Sequence, residues 1–204
     1  MKDDYDFMQT YTGRRINPFS IKPQDIILED ITHALSNINR YNGHTRIPMS
    51  VAHHSILVYK LMLDSGNDKP INLLYGLLHD APEAYIGDII RSVKFEINEL
   101  YNISIVEETL FIKMLTSLDI LYDKDIFKSI KKYDNMACLI EGTALMGSEV
   151  SIDNIKGWIS KIDNQGAIIL AAKRLITEIM TLDRFEVERE FRSLIERELK
   201  RCRS

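Results

Sequence analysis

The sequence has few cysteines, no excess of basic residues and no long apolar run. Its two cysteines, Cys138 and Cys202, lie far apart and match neither a disulfide framework nor a CxxC motif. The formal net charge is −4, from 26 basic and 30 acidic side chains, whereas proteins that track nucleic-acid phosphates normally carry a basic face. The longest apolar stretches, around 71–78 and 167–172, are far too short to span a bilayer. We therefore expect no nucleic-acid partner and no association with a membrane.

Proline is confined to the first part of the chain, and a signal-like leader is lacking. All five prolines precede residue 83, so everything after Pro82 can be helical without a proline break. The first fifteen residues are polar and acidic without an apolar core, which predicts no signal peptide. With 45% hydrophobic and 27% charged residues, the composition is that of a globular protein with its own core. These features predict a cytoplasmic enzyme or binding protein.

Apolar residues recur at helical spacing, and no segment alternates with the period of two that marks strands, so we predict an all-α fold. The clearest stripe consists of Ile27, Ile31, Leu35 and Ile38. Other helices are predicted where caps or prolines bound an apolar pattern: at 50–63 after Ser50, at 70–80 from Pro70, and at 98–118, 125–146 and 183–201. The domain organisation follows: an N-terminal arm at 1–25, a helical core at 26–146, and a C-terminal helical elaboration at 147–204 packed on the same domain.

All five histidines fall between residues 33 and 79, and this clustering marks the stretch as a candidate site. The sharpest feature is a helix that is apolar for two turns and ends in His79-Asp80. Adjacent helical residues point about 100° apart, so an imidazole and a carboxylate at a helix end can reach one divalent ion. Taken alone, the pair is a weak signal and fits a helix-capping role better than a metal site.

The neighbours of His79-Asp80 favour the metal reading. His54 lies on the preceding predicted helix and Asp134 on a later one, so three helical segments can converge on one ion. Glu83 follows Asp80 by one turn and is placed to orient a water molecule without binding the metal. The remaining histidines have simpler interpretations: His33 fills space between helices, and His53 points away from the ion.

Several motifs follow one another along the chain: Arg40-Tyr41-Asn42-Gly43-His44, Ser50-Val51-Ala52-His53-His54-Ser55, and His79-Asp80-Ala81-Pro82-Glu83-Ala84-Tyr85-Ile86-Gly87-Asp88, then Lys94 and Asp134. Over roughly residues 10–142, this series resembles the HD-domain phosphohydrolase superfamily. Within it, the motifs are similar to those of bacterial and prophage-encoded HD-type 5′-deoxynucleotidases and of phage HD-type deoxynucleoside triphosphate phosphohydrolases. The opening Tyr11-Thr12-Gly13-Arg14-Arg15 looks like the prophage branch. The resemblance implies an HD-domain helical bundle whose metal site lies where successive helices converge.

The resemblance also implies a role for each matched position. One divalent ion (Mn²⁺, Co²⁺, Fe²⁺, Ni²⁺, Zn²⁺ or Mg²⁺) would be held by His54, His79, Asp80 and Asp134. Glu83 and Asp88 would be the catalytic carboxylates. Arg40 and Lys94 would face substrate phosphate, and Tyr41 would stand beside the sugar, where an aromatic wall excludes a 2′-hydroxyl. His44 has two open interpretations, a position near the phosphates or a loop contact. Homo-oligomers, dimers or larger, are implied as well.

The function expected from these residues is metal-dependent hydrolysis of a nucleotide. A divalent ion lowers the pKa of bound water and neutralises phosphoryl charge, Arg grips phosphate, and a carboxylate moves the proton. The product can be phosphate from a monophosphate or tripolyphosphate from a triphosphate. One alternative is hydrolysis of a signalling nucleotide, which is weaker because a Gly-Tyr-Pro motif is absent and Glu83 is followed by Ala84. The other is a non-catalytic nucleotide-binding module with a structural metal.

Overall fold

A computed structural model describes residues 7–146 and 174–204 of the chain. The regular secondary structure of this part is helical apart from an antiparallel pair of two-residue strands, β1 (Met8–Gln9) and β2 (Arg15–Ile16), which confirms the predicted all-α class. Short 3-10 turns lie at Pro23–Asp25 and Arg40–Gly43, and a π-helical turn at Leu175–Ile179. The eight described α-helices are α1 (Leu28–Asn37), α2 (Val51–Asp64), α3 (Pro70–Leu78), α4 (Glu83–Ile86), α5 (Arg91–Tyr101), α6 (Ile103–Ser117), α7 (Lys124–Leu145) and α8 (Arg184–Arg203).

Helices α2 and α3 form the centre of the fold. Nearly every side chain of the first half of α2 is buried, and α3 packs against α2, α7 and α8. Helix α2 begins where predicted, because Ser50 accepts a hydrogen bond from the His53 backbone N–H. A β-carbon at Gly76 would overlap the Met62 side chain, so glycine lets α3 lie close to α2. This close packing brings the C-terminal end of α3 next to the middle of the bundle.

The C-terminal helix α8 completes the core. Its apolar residues Val187, Phe191 and Ile195 are fully buried, and the helix packs on α1, α2 and α3. Buried Glu198 accepts hydrogen bonds from Tyr59 on α2 and from neighbouring arginines of α8. Within the predicted C-terminal elaboration, only 174–204 are described, and residues 147–173 lie outside the described residues.

The helix predicted at 98–118 is wrong in its bounds. Two helices, α5 and α6, occupy residues 91–117 and are separated at Asn102, whose φ of 49° is left-handed. Asparagine tolerates this conformation better than other non-glycine residues. The Asn98 side-chain oxygen then accepts the backbone N–H of Ser104 at 3.0 Å and stabilises the start of α6. Periodicity alone did not reveal this break because neither glycine nor proline marks it.

The N-terminal arm is fastened to the helical core at two points. The Thr12 backbone N–H and hydroxyl both donate to the buried carboxylate of Asp30. The Tyr11 ring stacks on His33 at 3.7 Å, and His33 also pairs with Glu188 of α8 at 3.2 Å. His33 therefore fills the space between elements, as predicted. Within 7–146 and 174–204, no helix has both the length and the apolar character needed to cross a bilayer.

Candidate metal centre

Three helical segments bring the four predicted metal ligands together. His54 comes from the first turn of α2, His79 and Asp80 directly follow α3, and Asp134 comes from α7. The Nε2 atom of His54 lies 3.2 Å from Nε2 of His79, 3.3 Å from Oδ1 of Asp134 and 3.5 Å from Oδ2 of Asp80. Oδ2 of Asp80 is also 3.2 Å from Nε2 of His79. One ligand atom each of His54, His79 and Asp134 lies within 4.8 Å of the others, and Asp80 lies beside the two histidines of this group.

The hydrogen bonds on the outer side of both imidazoles determine their tautomers. Nδ1 of His79 donates to the Gly76 carbonyl oxygen at 2.8 Å, and Nδ1 of His54 donates to the Glu141 carboxylate at 2.5 Å. Both partners only accept, so each ring must carry a proton on Nδ1. The two Nε2 atoms then face inward beside two carboxylates, so these short contacts are favourable only with a proton on Nε2 of His54, donated to Asp134, or with a cation between the atoms. Imidazole and carboxylate donors suit a divalent first-row ion or Mg²⁺.

Charge at the centre is consistent with a cation site. Burial and the Arg40 guanidinium lower the pKa of His54, but the Glu141 and Asp134 carboxylates outweigh them and raise it to about 9. Burial raises the pKa of Asp80, yet its histidine neighbours, His79 first, hold it below its ordinary value. Burial likewise raises the pKa of Asp134, but the hydrogen bond with His54 outweighs it, and the net pKa lies below its ordinary value. Two ionised carboxylates thus favour positive charge at His54 Nε2.

Glu141 lies directly behind His54, and its spacing in the sequence, two turns after Asp134 on the same face of α7, favours a salt bridge within the fold over catalysis. Its fully buried carboxylate accepts from Arg40 Nε at 3.1 Å and from the Tyr41 hydroxyl at 2.7 Å, in addition to His54. Burial raises its pKa, but the charges of His54 and Arg40 dominate and lower it to about 2.

A cavity of about 670 Å³ opens over this centre. Seven of the ten predicted site residues line it: Arg40, Tyr41, Asp80, Glu83, Asp88, Lys94 and Asp134. A second cavity of about 550 Å³ reaches the same floor from the side of His79 and Pro82. His54 lies fully buried beneath the floor. His44 is exposed on the turn after Gly43 and lines neither cavity.

Two further carboxylates, Glu83 and Asp88, stand beside the four predicted ligands. Glu83 is buried at the start of α4, and its Oε2 makes no hydrogen bond within the described part of the chain. Burial, together with the charges of Asp80 and Asp88, raises the pKa of Glu83 well above its ordinary value. The pKa of Asp88 is raised too, by burial first and by Asp80, although Arg40 opposes the change. Such acids suit proton transfer near neutral pH.

Positive side chains surround the carboxylates. Arg40 lies 3.5 Å from Asp80 through NH1, and its guanidinium is 5.4 Å from the centre of the Tyr41 ring. Lys94 of α5 pairs with Glu107 of α6 at 2.6 Å. Lys131, which the sequence analysis did not select, contacts Oδ2 of Asp134 at 2.5 Å and lines both cavities. These cations provide charge for an anionic ligand at the cavity floor.

Comparisons with known proteins give relatives but no activity. No family model matches the chain. It is 34% identical over 151 residues to an uncharacterized protein of Rhodobacter capsulatus, covering 72% of this chain and 76% of that protein. It is also 36% identical over 89 residues to the uncharacterized protein YfdR of Escherichia coli, covering 43% of this chain and 46% of YfdR. The chain therefore belongs to the same family as the Rhodobacter capsulatus protein.

Proposed function

We propose that the chain is a metal-dependent nucleotide phosphohydrolase of the HD-domain type. One observation carries the proposal: the inward-facing Nε2 atoms of His54 and His79 meet the carboxylates of Asp80 and Asp134 at 3.2–3.5 Å. These residues would hold one divalent ion, which would supply Lewis-acid activation of water and neutralise phosphoryl charge. The order and spacing of the motifs support the HD-domain assignment.

The residues around the ion support a hydrolytic rather than a structural centre. Glu83, with its raised pKa and unbonded Oε2, is suited to hold a proton near the floor and to deliver it to a leaving oxygen. Asp88 is the second candidate for this exchange. A metal that only fastened helices would not need two further carboxylates beside its ligands.

The cavity supports a phosphorylated substrate of nucleotide size. Arg40 offers a planar, permanently charged group at the floor, and Lys94 and Lys131 add charge from α5 and α7. At about 670 Å³, the cavity falls within the range of small-molecule sites. Tyr41 lines the same cavity and would form the aromatic wall against the sugar, which favours deoxynucleotides. We propose a 5′-deoxynucleotidase or a deoxynucleoside triphosphate triphosphohydrolase.

Product analysis tests the proposal directly. Purified protein with Mn²⁺ or Co²⁺ is incubated with ribo- and deoxynucleoside mono-, di- and triphosphates, with Asp80→Ala as the inactive control. Deoxynucleoside and phosphate from the monophosphate would establish a nucleotidase, whereas tripolyphosphate would establish a triphosphohydrolase. Full activity of Asp80→Ala would refute the role of the metal centre.

Two alternatives have distinct outcomes in the same assay. Turnover of an alarmone or cyclic nucleotide alone would indicate a signalling-nucleotide hydrolase. Tight metal binding without turnover of any nucleotide would indicate a binding module with a structural ion. Self-association also stays a prediction, and Phe191 and Ile195 of α8 do not contribute to it because they are buried within the chain.

A further inference from the structure

We propose that Glu141 is a positioning residue that joins the metal ligand His54 to the substrate-facing residues Arg40 and Tyr41. The proposal rests on the proposed function, since it assigns those three residues to metal and substrate. It goes further by making one buried carboxylate responsible for both the metal affinity and the sugar selectivity of the site.

The two oxygens of Glu141 divide these tasks. Oε1 accepts only the Nδ1 proton of His54, whereas Oε2 accepts both Arg40 Nε–H and the Tyr41 hydroxyl. The side chain is fully buried, so water does not replace a lost partner. A carboxylate behind a ligating imidazole holds the ring in its metal-binding tautomer, and removing such a partner typically costs about 10–100-fold in metal affinity.

The backbone at Tyr41 explains why its ring needs an anchor. Tyr41 and Asn42 have φ values of 55° and 50°, which are left-handed and unfavourable for a tyrosine. The hydroxyl bond to Glu141 secures the ring at the cavity wall despite this conformation. A phenylalanine keeps the wall but loses the anchor, so selectivity against a 2′-hydroxyl should fall.

Replacing Glu141 by glutamine separates the two tasks by hydrogen-bond logic. An amide with its oxygen toward His54 turns its NH₂ group toward the Arg40 donor. The reverse orientation presents NH₂ to Nδ1 of His54, which must then carry its proton on Nε2 and cannot ligate. Either orientation loses the hydrogen bond to His54 or the one to Arg40, although the size and shape of the side chain are unchanged.

The matched control is Glu198, the other buried glutamate that bonds a tyrosine and arginines. It accepts from Tyr59 at 3.0 Å and from Arg197 at 3.0 Å, and it lines neither cavity at the metal centre. Glu198→Gln should therefore lower the melting temperature as Glu141→Gln does, but leave metal affinity and sugar selectivity unaltered.

The experiment measures Mn²⁺ affinity by calorimetry and the ratio of kcat/KM for deoxy- over ribonucleotide in the full-length wild type and three variants. We expect Glu141→Gln to weaken Mn²⁺ binding by about 10–100-fold and to lower the selectivity ratio. We expect Tyr41→Phe to lower the ratio by roughly tenfold, the value of one hydrogen bond to a charged group, with Mn²⁺ affinity close to wild type. Glu198→Gln should match the wild type in both.

Failure of this inference differs from failure of the proposed function. If wild-type protein binds no Mn²⁺ and hydrolyses no nucleotide, the proposed function is wrong. If the wild type binds and turns over but Glu141→Gln keeps both the affinity and the ratio, the positioning role is overturned. Equal losses in Glu141→Gln and Glu198→Gln would also overturn it, because they would indicate general destabilisation.

Discussion

The Nε2 atoms of His54 and His79 face each other at 3.2 Å, while the Nδ1 atoms of both rings donate hydrogen bonds to acceptors behind them. With both rings neutral, neither nitrogen has a hydrogen to offer the other. A cation between them relieves the conflict, and the carboxylates of Asp80 and Asp134 complete its surroundings.

Removing divalent ions should lower the stability of the protein. A ligand that binds only the folded state stabilises it by about 2.7 kcal/mol at a free concentration of about 100 times its Kd. For a chain of this size, that corresponds to roughly 5–10 °C in Tm. We expect chelation to lower Tm by this amount and added Mn²⁺ to restore it, as measured by differential scanning calorimetry.

Asp134→Asn should lose this response to metal, because an amide oxygen is a weaker ligand than a carboxylate. Asp30→Asn is the control, since Asp30 is an equally buried acid that bonds Thr12 outside the centre. A metal response of Asp134→Asn equal to that of Asp30→Asn would contradict the ligand assignment.

Glu83→Gln should separate catalysis from metal binding. Glu83 lies beside the four proposed ligands, and its Oε2 makes no hydrogen bond within the described residues, so its loss should not weaken binding of the ion. Losing a general acid or base typically costs about 10²–10⁴-fold in rate. We expect kcat to fall by that factor with Mn²⁺ affinity unchanged in calorimetry. Glu198→Gln, at a buried glutamate that lines neither cavity, should keep its kcat, and a fully active Glu83→Gln enzyme would exclude this role.

Gly76→Ala should destabilise the fold by overpacking the contact between α2 and α3. The added methyl would meet the Met62 side chain, which has little room to move in the core. We expect the free energy of unfolding to fall by about 1–3 kcal/mol in urea denaturation. Gly142→Ala is the control, because a β-carbon there meets nothing within 4 Å, and it should gain about 0.5–1 kcal/mol in α7. Equal effects of both changes would contradict the close-packing argument.

Lys131→Met should strengthen metal binding. The Lys131 ammonium contacts Oδ2 of Asp134 and repels a divalent ion held by the same carboxylate. Because Lys131 is 62% exposed, the gain should not exceed about fivefold and should shrink at high salt. Mn²⁺ titrations at low and high ionic strength measure it. Lys128→Met, which removes a charge one turn earlier on α7, should have a smaller effect. Weaker Mn²⁺ binding by Lys131→Met would contradict the repulsion between Lys131 and the ion.

Local signals in the sequence determined most helices and their ends. Ser50 and Pro70 begin α2 and α3 as predicted, and the predicted span 125–146 differs from α7 by one residue at each end. These features depend on neighbours within a few residues, which a single sequence contains. The break at Asn102 was missed because its left-handed backbone is stabilised by a side chain four residues earlier, and that signal has no periodicity.

The sequence by itself also determined which residue types reach the centre: two histidines and two aspartates on three helices, with Glu83 one turn further. Only the tertiary structure decided which side chains contact the predicted ligands from outside: Glu141 contacts His54, and Lys131 contacts Asp134. It also decided that His44 points to solvent while Tyr41 lines the cavity. The physical reason is the distance along the chain over which each property is set. Backbone torsions and helix faces follow from nearby residues, whereas the distances between α2, α3 and α7 follow from packing between residues far apart in sequence, such as Gly76 against the Met62 side chain.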